Sequence, residues 1–130
     1  MSGVVVGYVP SAEGRAALAT GIAEARLRGC RLVVVNTSQG DALVDDSSLA
    51  GDALDALRAE LEGLDVQAEL RQPRTWDDVA EDLDAVADEV DADLIVIGLR
   101  RRSAVGKLIL GSAASRILLT AHHAVLAVKA

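Results

Sequence analysis

Four short apolar runs that lack polar alternation constrain the fold of this chain more than any other feature. They occupy residues 4–9, 32–35, 94–97 and 124–128, and most of their side chains are β-branched or small. A strand with one face in water alternates apolar and polar residues, whereas a strand covered on both faces need not. We therefore predict a sheet that is covered by helices on both faces.

A fifth and weaker run, residues 66–70, does alternate, as an edge strand can. Between the runs, apolar residues recur at helical spacing, which predicts four helices. The first helix is predicted to be capped by Ser11 and to stop at Gly29. Its inward face is predicted to contain Leu18, Ile22 and Ala25.

Similar signals predict the second and third helices. Ser47 or Ser48 caps the second helix, and Gly63 ends it. Thr75 begins the third helix, with Asp78 three residues later in the capping-box position. The predicted inward residues are Leu54, Leu57, Leu61 and Leu64 in the second helix and Val79, Leu83, Val86 and Val90 in the third.

The fourth helix follows Gly111 and Ser112, and the resulting order of elements is β-α-β-α-β-α-β-α-β. Right-handed crossovers convert this order into a parallel, doubly wound sheet. We predict an α/β chain with three layers, α/β/α, five parallel strands in the order 3-2-1-4-5, and a single domain over residues 1–130. The inward face of the fourth helix is predicted to contain Ala114, Ile117, Leu118 and Ala121.

Composition excludes several classes of function. Aromatic residues make up only 2% of the chain, which is too few for base-stacking platforms. The net charge of −7 disfavours binding to nucleic acid or to an anionic membrane. A single cysteine, Cys30, excludes an internal disulfide and a multi-cysteine metal site. No apolar run approaches the ~20 residues of a membrane span, and residues 1–3 do not resemble a signal peptide. We therefore predict a cytoplasmic protein.

Residues 77–93 are rich in carboxylates and contain no basic residue. This segment could form an acidic docking face or a surface for divalent ions, but a solvated helix face opposite the apolar stripe explains the pattern. We expect no specific metal site there or in the polar loop at 41–46. His122 and His123 are adjacent in a segment predicted to be extended, so we expect their rings to face opposite ways and not to share a metal ion.

The loop after the fourth strand, residues 98–112, has the chemistry of a phosphate site. It has a glycine at each end, a serine at a helix start and four cations between them. Glycine lets the backbone approach a ligand, and the N–H groups of a helix N-terminus attract anions. A strand-ending glycine, an ordinary N-cap and solvated arginines would explain the same residues. In an open parallel sheet, the ligand crevice is expected between the loops after the first and fourth strands.

The block from Gly98 through Gly111 and Ser112 to the last strand resembles the universal stress protein family. The start of the chain resembles it too, where Val4-Val5-Val6-Gly7 leads through Ser11 into Gly14-Arg15-Ala16-Ala17-Leu18. The resemblance implies a Rossmann-like sheet and, in many members, dimers formed through the last strand. It also implies that ATP binds in some members and not in others.

The family's nucleotide motif is a glycine, two residues, a second glycine, nine residues, and then Gly-Ser or Gly-Thr. The resemblance places the first glycine at Gly98 and the final pair at Gly111 and Ser112, with Ala113 directly after them. The second glycine position is Arg101, a bulky side chain where the family loop turns tightly.

Two further family positions lie earlier in the chain. The aspartate that ATP-binding members carry just past the first strand corresponds to Val9, followed by Pro10. The adenine-contacting position past the second strand corresponds to Thr37, where the family contacts are largely made by the backbone. Arg100, Arg101 and Arg102 could grip phosphate in place of the missing groups, fill the pocket or face a partner.

Two functions are consistent with this reading. In the first, the chain is a universal stress protein-like regulator that binds an adenine nucleotide, ATP or AMP, in the crevice. In the second, the crevice is degenerate and the chain acts as a dimeric interaction protein for another protein. Both include a homodimer through the segment from Ala124 to Val128, an apolar edge that would otherwise invite aggregation. No dinucleotide fingerprint, Walker A loop, or His–carboxylate–nucleophile set is evident, so we do not expect an enzyme.

Overall fold

A computed structural model of the chain describes residues 2–37, 47–72, 78–100 and 111–130, with the backbone alone at 47–50. Strands and helices alternate along these residues. The strands are β1 (Gly3–Tyr8), β2 (Arg31–Asn36), β3 (Ala68–Arg71), β4 (Leu94–Leu99) and β5 (Val125–Lys129). The helices are α1 (Ala12–Arg28), α2 (Ser47–Glu62), α3 (Val79–Val90) and α4 (Ser112–Thr120).

The five strands form one parallel sheet in the order β3-β2-β1-β4-β5. The predicted order 3-2-1-4-5 is therefore confirmed, with β3 and β5 at the edges. Strand β1 is central, because Val4 pairs with Leu32 on one side and with Leu94 on the other. No described helix is long and apolar enough to cross a membrane.

The two faces of the sheet carry separate cores, and this explains why the strands lack polar alternation. On one face, Val4 and Val6 pack in a cluster with Leu18 of α1 and Leu57 of α2. On the other face, residues of β1, β2 and β4 pack against α3 and α4; this cluster includes Val5, Val33, Ile95, Leu83 and Ile117. Successive strand residues point to opposite faces, and helices cover both faces, so the central positions of β1, β2 and β4 are apolar.

The predicted ends of α1 are confirmed, and the predicted start of α3 is wrong. The Ser11 hydroxyl accepts a hydrogen bond from the Gly14 N–H at 3.3 Å, and Gly29 ends α1 in the left-handed region with φ 65°. Asp78, and not Thr75, caps α3: its carboxylate accepts the Glu81 N–H at 3.2 Å. The Asp78 backbone is extended, so a helix cannot run through it from Thr75, which lies outside the described residues.

The inward face of α4 is narrower than predicted. Ile117 is buried, but Leu118 is 41% exposed and Leu119 is 84% exposed. Each residue turns about 100° around a helix, so the residue after an inward Ile117 is carried toward the solvent side. The prediction that Leu118 faces inward is therefore wrong.

The acidic segment is not simply a solvated face, because several carboxylates bind basic groups from other elements. Asp78 contacts Arg116 of α4 at 2.6 Å, and Glu89 contacts Arg71 of β3 at 2.7 Å. Asp84 accepts the backbone N–H of His122 at 3.0 Å. These contacts fasten α3 to its neighbours on both sides.

Both histidines bind Asp84, contrary to the prediction that their rings face opposite ways. Nδ1 of His122 lies 2.6 Å from one carboxylate oxygen, and Nδ1 of His123 lies 3.0 Å from the other. The chain bends at these two residues instead of running extended, and this turns both rings toward α3. Within the described ranges, no group of three or more His, Cys, Asp or Glu residues is arranged to hold a metal ion.

The Asp84 contacts predict a pH-dependent contribution to stability. Burial alone would raise the pKa of Asp84, but the bonds from the His122 N–H and the two imidazoles outweigh it and lower the pKa. A lowered pKa stabilises the folded state above the ordinary carboxyl pKa of about 4, and the contribution is lost as the pH falls through the folded value. We expect Asp84→Asn to cost about 1–2 kcal/mol at pH 7 and progressively less below pH ~4, measured by urea unfolding.

The matched control is Asp91→Asn in the left-handed cap of the same helix, where φ is 55°. Asparagine tolerates that conformation, and losing a negative charge at a helix C-terminus is not destabilising, so this variant should match the parent within ~0.5 kcal/mol. A loss in Asp84→Asn that is the same at pH 3 and pH 7 would contradict the ionic origin.

Candidate functional site

A cavity of about 280 Å³ opens at the carboxyl ends of β1 and β4. These two central strands are the place where the order of the sheet reverses, since β1 leads to β2 on one side and β4 to β5 on the other. Ligands of open parallel sheets bind at this position. The cavity volume is just below the ~300–1,000 Å³ of small-molecule sites.

The floor of the cavity is apolar and its polar groups are few. The apolar lining comes from α3, β4 and α4 and includes Val79, Leu83, Ile97 and Ile117. The charged groups of the described lining are Glu13 at the start of α1 and Arg100 just after β4. Such a lining suits a ligand with a flat apolar part and one polar end.

The structure brings together most of the residues that the sequence singled out. Val9, Thr37, Gly98, Gly111 and Ala113 all line the cavity. Ser112 is the first residue of α4 and stands between two of these lining residues.

One candidate cannot be placed. Arg101 lies outside the described residues, as does the loop around it at 101–110.

Gly98 is required by the packing of the protein itself. A Cβ on Gly98 would overlap the carbonyl oxygen of Glu13, in the first turn of α1. Gly14 directly follows Glu13 in α1, and a Cβ on Gly14 would overlap the carbonyl oxygen of Val9. Both glycines therefore let α1 begin directly against the ends of β1 and β4, and this contact forms one wall of the cavity.

Gly111 differs, because no atom of the residues that the structure describes would lie within 4 Å of a Cβ there. It is the N-cap of α4, with φ −68° and no side chain to accept a hydrogen bond from the first turn. The first N–H groups of a helix have no intrahelical acceptor, and the helix dipole adds partial positive charge there. The end of the cavity at Gly111 is therefore suited to an anion.

Thr37 fixes the opposite side of the cavity rim. Its backbone N–H and its hydroxyl both donate to the carbonyl oxygen of Tyr8, at 2.8 and 3.0 Å. These two bonds tie the end of β2 to the end of β1. The Thr37 backbone, which the family resemblance assigns to adenine, is therefore held in place by the sheet.

Glu13 is the site residue that the sequence analysis missed. Its carboxylate accepts a hydrogen bond from Nε of Arg100 at 3.1 Å, and the Glu13 side chain is 15% exposed while that of Arg100 is 65% exposed. Burial alone would raise the pKa of Glu13, but hydrogen bonds from its own backbone N–H, from Ser11 and from Arg100 outweigh it and lower the pKa. In the sequence, Glu13 looks like an ordinary carboxylate in a helix first turn, and its link to Arg100 spans 87 positions.

The different surroundings of the two motif glycines predict different costs for the same substitution. Gly98→Ala should lower the free energy of unfolding by about 1–3 kcal/mol, because the backbone of α1 must move away. Gly111→Ala should cost less than about 1 kcal/mol, because the new methyl group enters open space at a helix cap. Denaturant unfolding of both variants tests this, and equal losses would contradict the packing role of Gly98.

The pattern that defines the Universal stress protein family matches residues 1–129. A universal stress protein of Mycolicibacterium smegmatis is 44% identical over 126 residues, which cover 97% of this chain and 96% of that relative.

Solved structures share the fold over the same length. A universal stress protein from Archaeoglobus fulgidus superimposes with a TM-score of 0.76 at 33% identity, covering 99% of this chain and 98% of that one. A structure of the universal stress protein from Archaeoglobus fulgidus in complex with dAMP gives a TM-score of 0.72 at 28% identity, with the same coverage. On this likeness in sequence and fold, the chain belongs to the universal stress protein family.

Proposed function

We propose that this protein is a regulator that binds an adenine nucleotide in the cavity between β1 and β4. The observation that carries the proposal is the uncapped N-terminus of α4 at Gly111, which borders a cavity at the point where the sheet order reverses. The dAMP complex of the Archaeoglobus fulgidus relative supports the choice of an adenine nucleotide.

The lining suggests how the nucleotide lies. The base occupies the side of Thr37 and Val9, where the rim is fixed by the bonds to Tyr8. The phosphate lies at Gly111, Ser112 and Ala113, where backbone N–H groups begin a helix. Val9 replaces the family's aspartate, so the base side of this cavity lacks one carboxylate and is more apolar.

We also propose that the protein binds its ligand without chemical turnover. The described lining contains no His, Cys or Lys, and the hydroxyl of Thr37 already donates to Tyr8. The two histidines bind Asp84 of α3 instead, outside the cavity lining. A nucleophile with an adjacent base, which nucleophilic catalysis would require, is therefore not assembled by the described residues of this cavity.

The nucleotide proposal is tested by calorimetry with ATP, ADP and AMP on the parent protein and on Gly111→Val. The parent should bind at least one of the three nucleotides. The valine side chain meets no atom of the described residues but covers the start of α4, so the affinity should fall at least about tenfold, or ~1.4 kcal/mol.

Gly63→Val is the matched control, because Gly63 follows α2 and a Cβ there makes only ordinary contacts. Its affinity should equal that of the parent. If the parent binds none of the three nucleotides, the proposal fails and the alternative, a dimeric interaction protein with a degenerate crevice, stands in its place.

A homodimer through the segment from Ala124 to Val128 is the second part of the proposal. Strand β5 is at the edge of the sheet, and Val125, Leu126, Ala127 and Val128 are each only partly buried. An apolar edge strand presents backbone groups that pair readily with another strand. Leu119, just before it in α4, adds an exposed apolar side chain.

Proline at position 127 tests the dimer. The bonds from Ile95 N–H to the Ala124 carbonyl and from Ala130 N–H to the Leu99 carbonyl show that even-numbered residues of β5 face β4. The N–H of Ala127 therefore points to the free edge, where proline removes a donor without breaking the sheet. Sedimentation should show a dimer for the parent and a monomer for Ala127→Pro, with the helical circular dichroism retained. A dimer that survives in this variant would exclude pairing through β5.

A further inference from the structure

We propose that His123 forms a proton-dependent bridge between α3 and the start of β5. With two ring protons, His123 bonds to both Asp84 and Asp88 of α3. With one ring proton it bonds to only one of these carboxylates, and the start of β5 is then joined less firmly to α3. The inference goes beyond the proposed function, since it needs neither the nucleotide nor the dimer.

Both ring nitrogens of His123 face carboxylates of α3. Nδ1 lies 3.0 Å from Oδ1 of Asp84, and Nε2 lies 3.3 Å from Oδ1 of Asp88. The two carboxylates are four positions apart, so they lie on the same face of the helix, one turn from each other. The His123 side chain is only 16% exposed, so few water molecules can replace either contact.

The number of protons on the ring decides whether both contacts of His123 can exist. An ionised carboxylate only accepts hydrogen bonds, whereas a neutral imidazole has one N–H donor and an imidazolium has two. A neutral His123 would therefore set a nitrogen lone pair against a carboxylate oxygen at one of the two contacts. The observed arrangement at Asp84 and Asp88 is that of the imidazolium.

His122 differs, because it uses a single ring nitrogen. Its Nδ1 lies 2.6 Å from Oδ2 of Asp84, and its side chain is 81% exposed. A neutral ring that carries its proton on Nδ1 keeps this contact. The backbone N–H of His122 donates to Asp84 whatever the charge of the ring. Proton loss therefore breaks a contact of His123 but none of His122.

The other charged groups of the neighbouring elements do not compete for this bridge. Arg116, the basic residue of α4, pairs with Asp78 at 2.6 Å, and Lys129 lies at the far end of β5. Strand β4 contains no titratable residue. Among the described residues, Asp84 and Asp88 form ion pairs with the two histidines alone. The remaining carboxylates of α3 and its flanks are Asp78, Glu81, Asp82, Glu89, Asp91 and Asp93.

The bridge lies next to the first hydrogen bond between β4 and β5. His123 is two residues before Val125, where β5 begins, and the Ile95 N–H donates to the carbonyl of Ala124 at 2.9 Å. Strand β5 is at the edge of the sheet, with β4 as its one neighbour in the described sheet. Loss of the contact to Asp88 should therefore let this first bond open more often.

The ordinary pKa values of the two side-chain types give the pH range of the bridge. Between the ordinary aspartate pKa of about 4 and the ordinary imidazole pKa of about 6.5, the carboxylates are ionised and the ring is charged. The bridge is complete in this range. Its contribution to stability is lost as the pH rises and the ring releases its proton.

Urea unfolding of the parent and of Asp88→Asn at pH 5.5 and pH 8 tests the contact to Asp88. The Asp88 side chain is 66% exposed, so the variant should fold. The substitution should raise the equilibrium constant for unfolding about threefold at pH 5.5, as expected for an exposed ion pair, and less than about 1.5-fold at pH 8. Asp91→Asn on the same helix makes the same change in net charge, and its effect should be equal at the two pH values.

Two NMR measurements on the parent test the proton and its consequence. Two-bond ¹H–¹⁵N spectra should show His123 as an imidazolium at pH 5.5 and as a neutral ring at pH 8. Hydrogen exchange of the Ile95 N–H, corrected for the intrinsic rate, should be about threefold less protected at pH 8 than at pH 5.5. The Leu32 N–H, which donates to the Gln67 carbonyl between β2 and β3, is the internal reference and should keep its protection.

Each result decides for or against the bridge. A single proton on His123 at pH 5.5 would overturn it, and so would an equal effect of Asp88→Asn at the two pH values. Unchanged protection of Ile95, or a loss of protection that Leu32 shares, would show that the ring does not hold the start of β5. A charged ring at pH 5.5, together with a pH-dependent effect that Asp88→Asn removes from Ile95, supports the bridge.

Discussion

The contact between the first turn of α1 and the ends of β1 and β4 is the constraint on which the rest of this molecule depends. Gly14 against the Val9 carbonyl and Gly98 against the Glu13 carbonyl allow backbone to lie on backbone with no side chain between. This contact sets the height of α1 over the sheet, and with it the burial of Leu18 in the core. It also places Glu13 beside Arg100. The same backbone contact therefore determines the shape of one cavity wall and the position of the two charged side chains in the described lining.

The fold was largely predictable because helices bury both faces of the sheet. Continuous apolar strands and striped helices require a parallel sheet covered on both faces. The order of the sheet and the caps at Ser11 and Gly29 were also predicted. The start of α3 was not, since Thr75 and Asp78 are both good caps and only the extended backbone at Asp78 decides between them. Leu118 was misassigned because it is the residue directly after the inward Ile117, about 100° further around the helix.

The candidate site was only partly predictable, because its parts are far apart in sequence. The positions of Gly98, Gly111 and Thr37 follow from element order, which puts the ends of parallel strands at one edge. The pairing of Glu13 with Arg100 and the shared binding of His122 and His123 to Asp84 depend on how helices lie on the sheet. No local pattern encodes these contacts, and each joins an ordinary surface residue to a partner dozens of positions away.

The central position of β1 also has a consequence for synthesis on the ribosome. Val4 pairs on one side with Leu32, which is translated soon after Val4. On the other side Val4 pairs with Leu94, which is translated much later. One side of this central strand therefore stays without its partner until Leu94 has been translated. Parallel strands that pair over such long sequence separations fold slowly, and meanwhile they expose apolar side chains and unpaired backbone N–H and C=O groups. The nascent chain thus passes through a stage at which β1, β2 and α1 can assemble but the cavity does not yet exist.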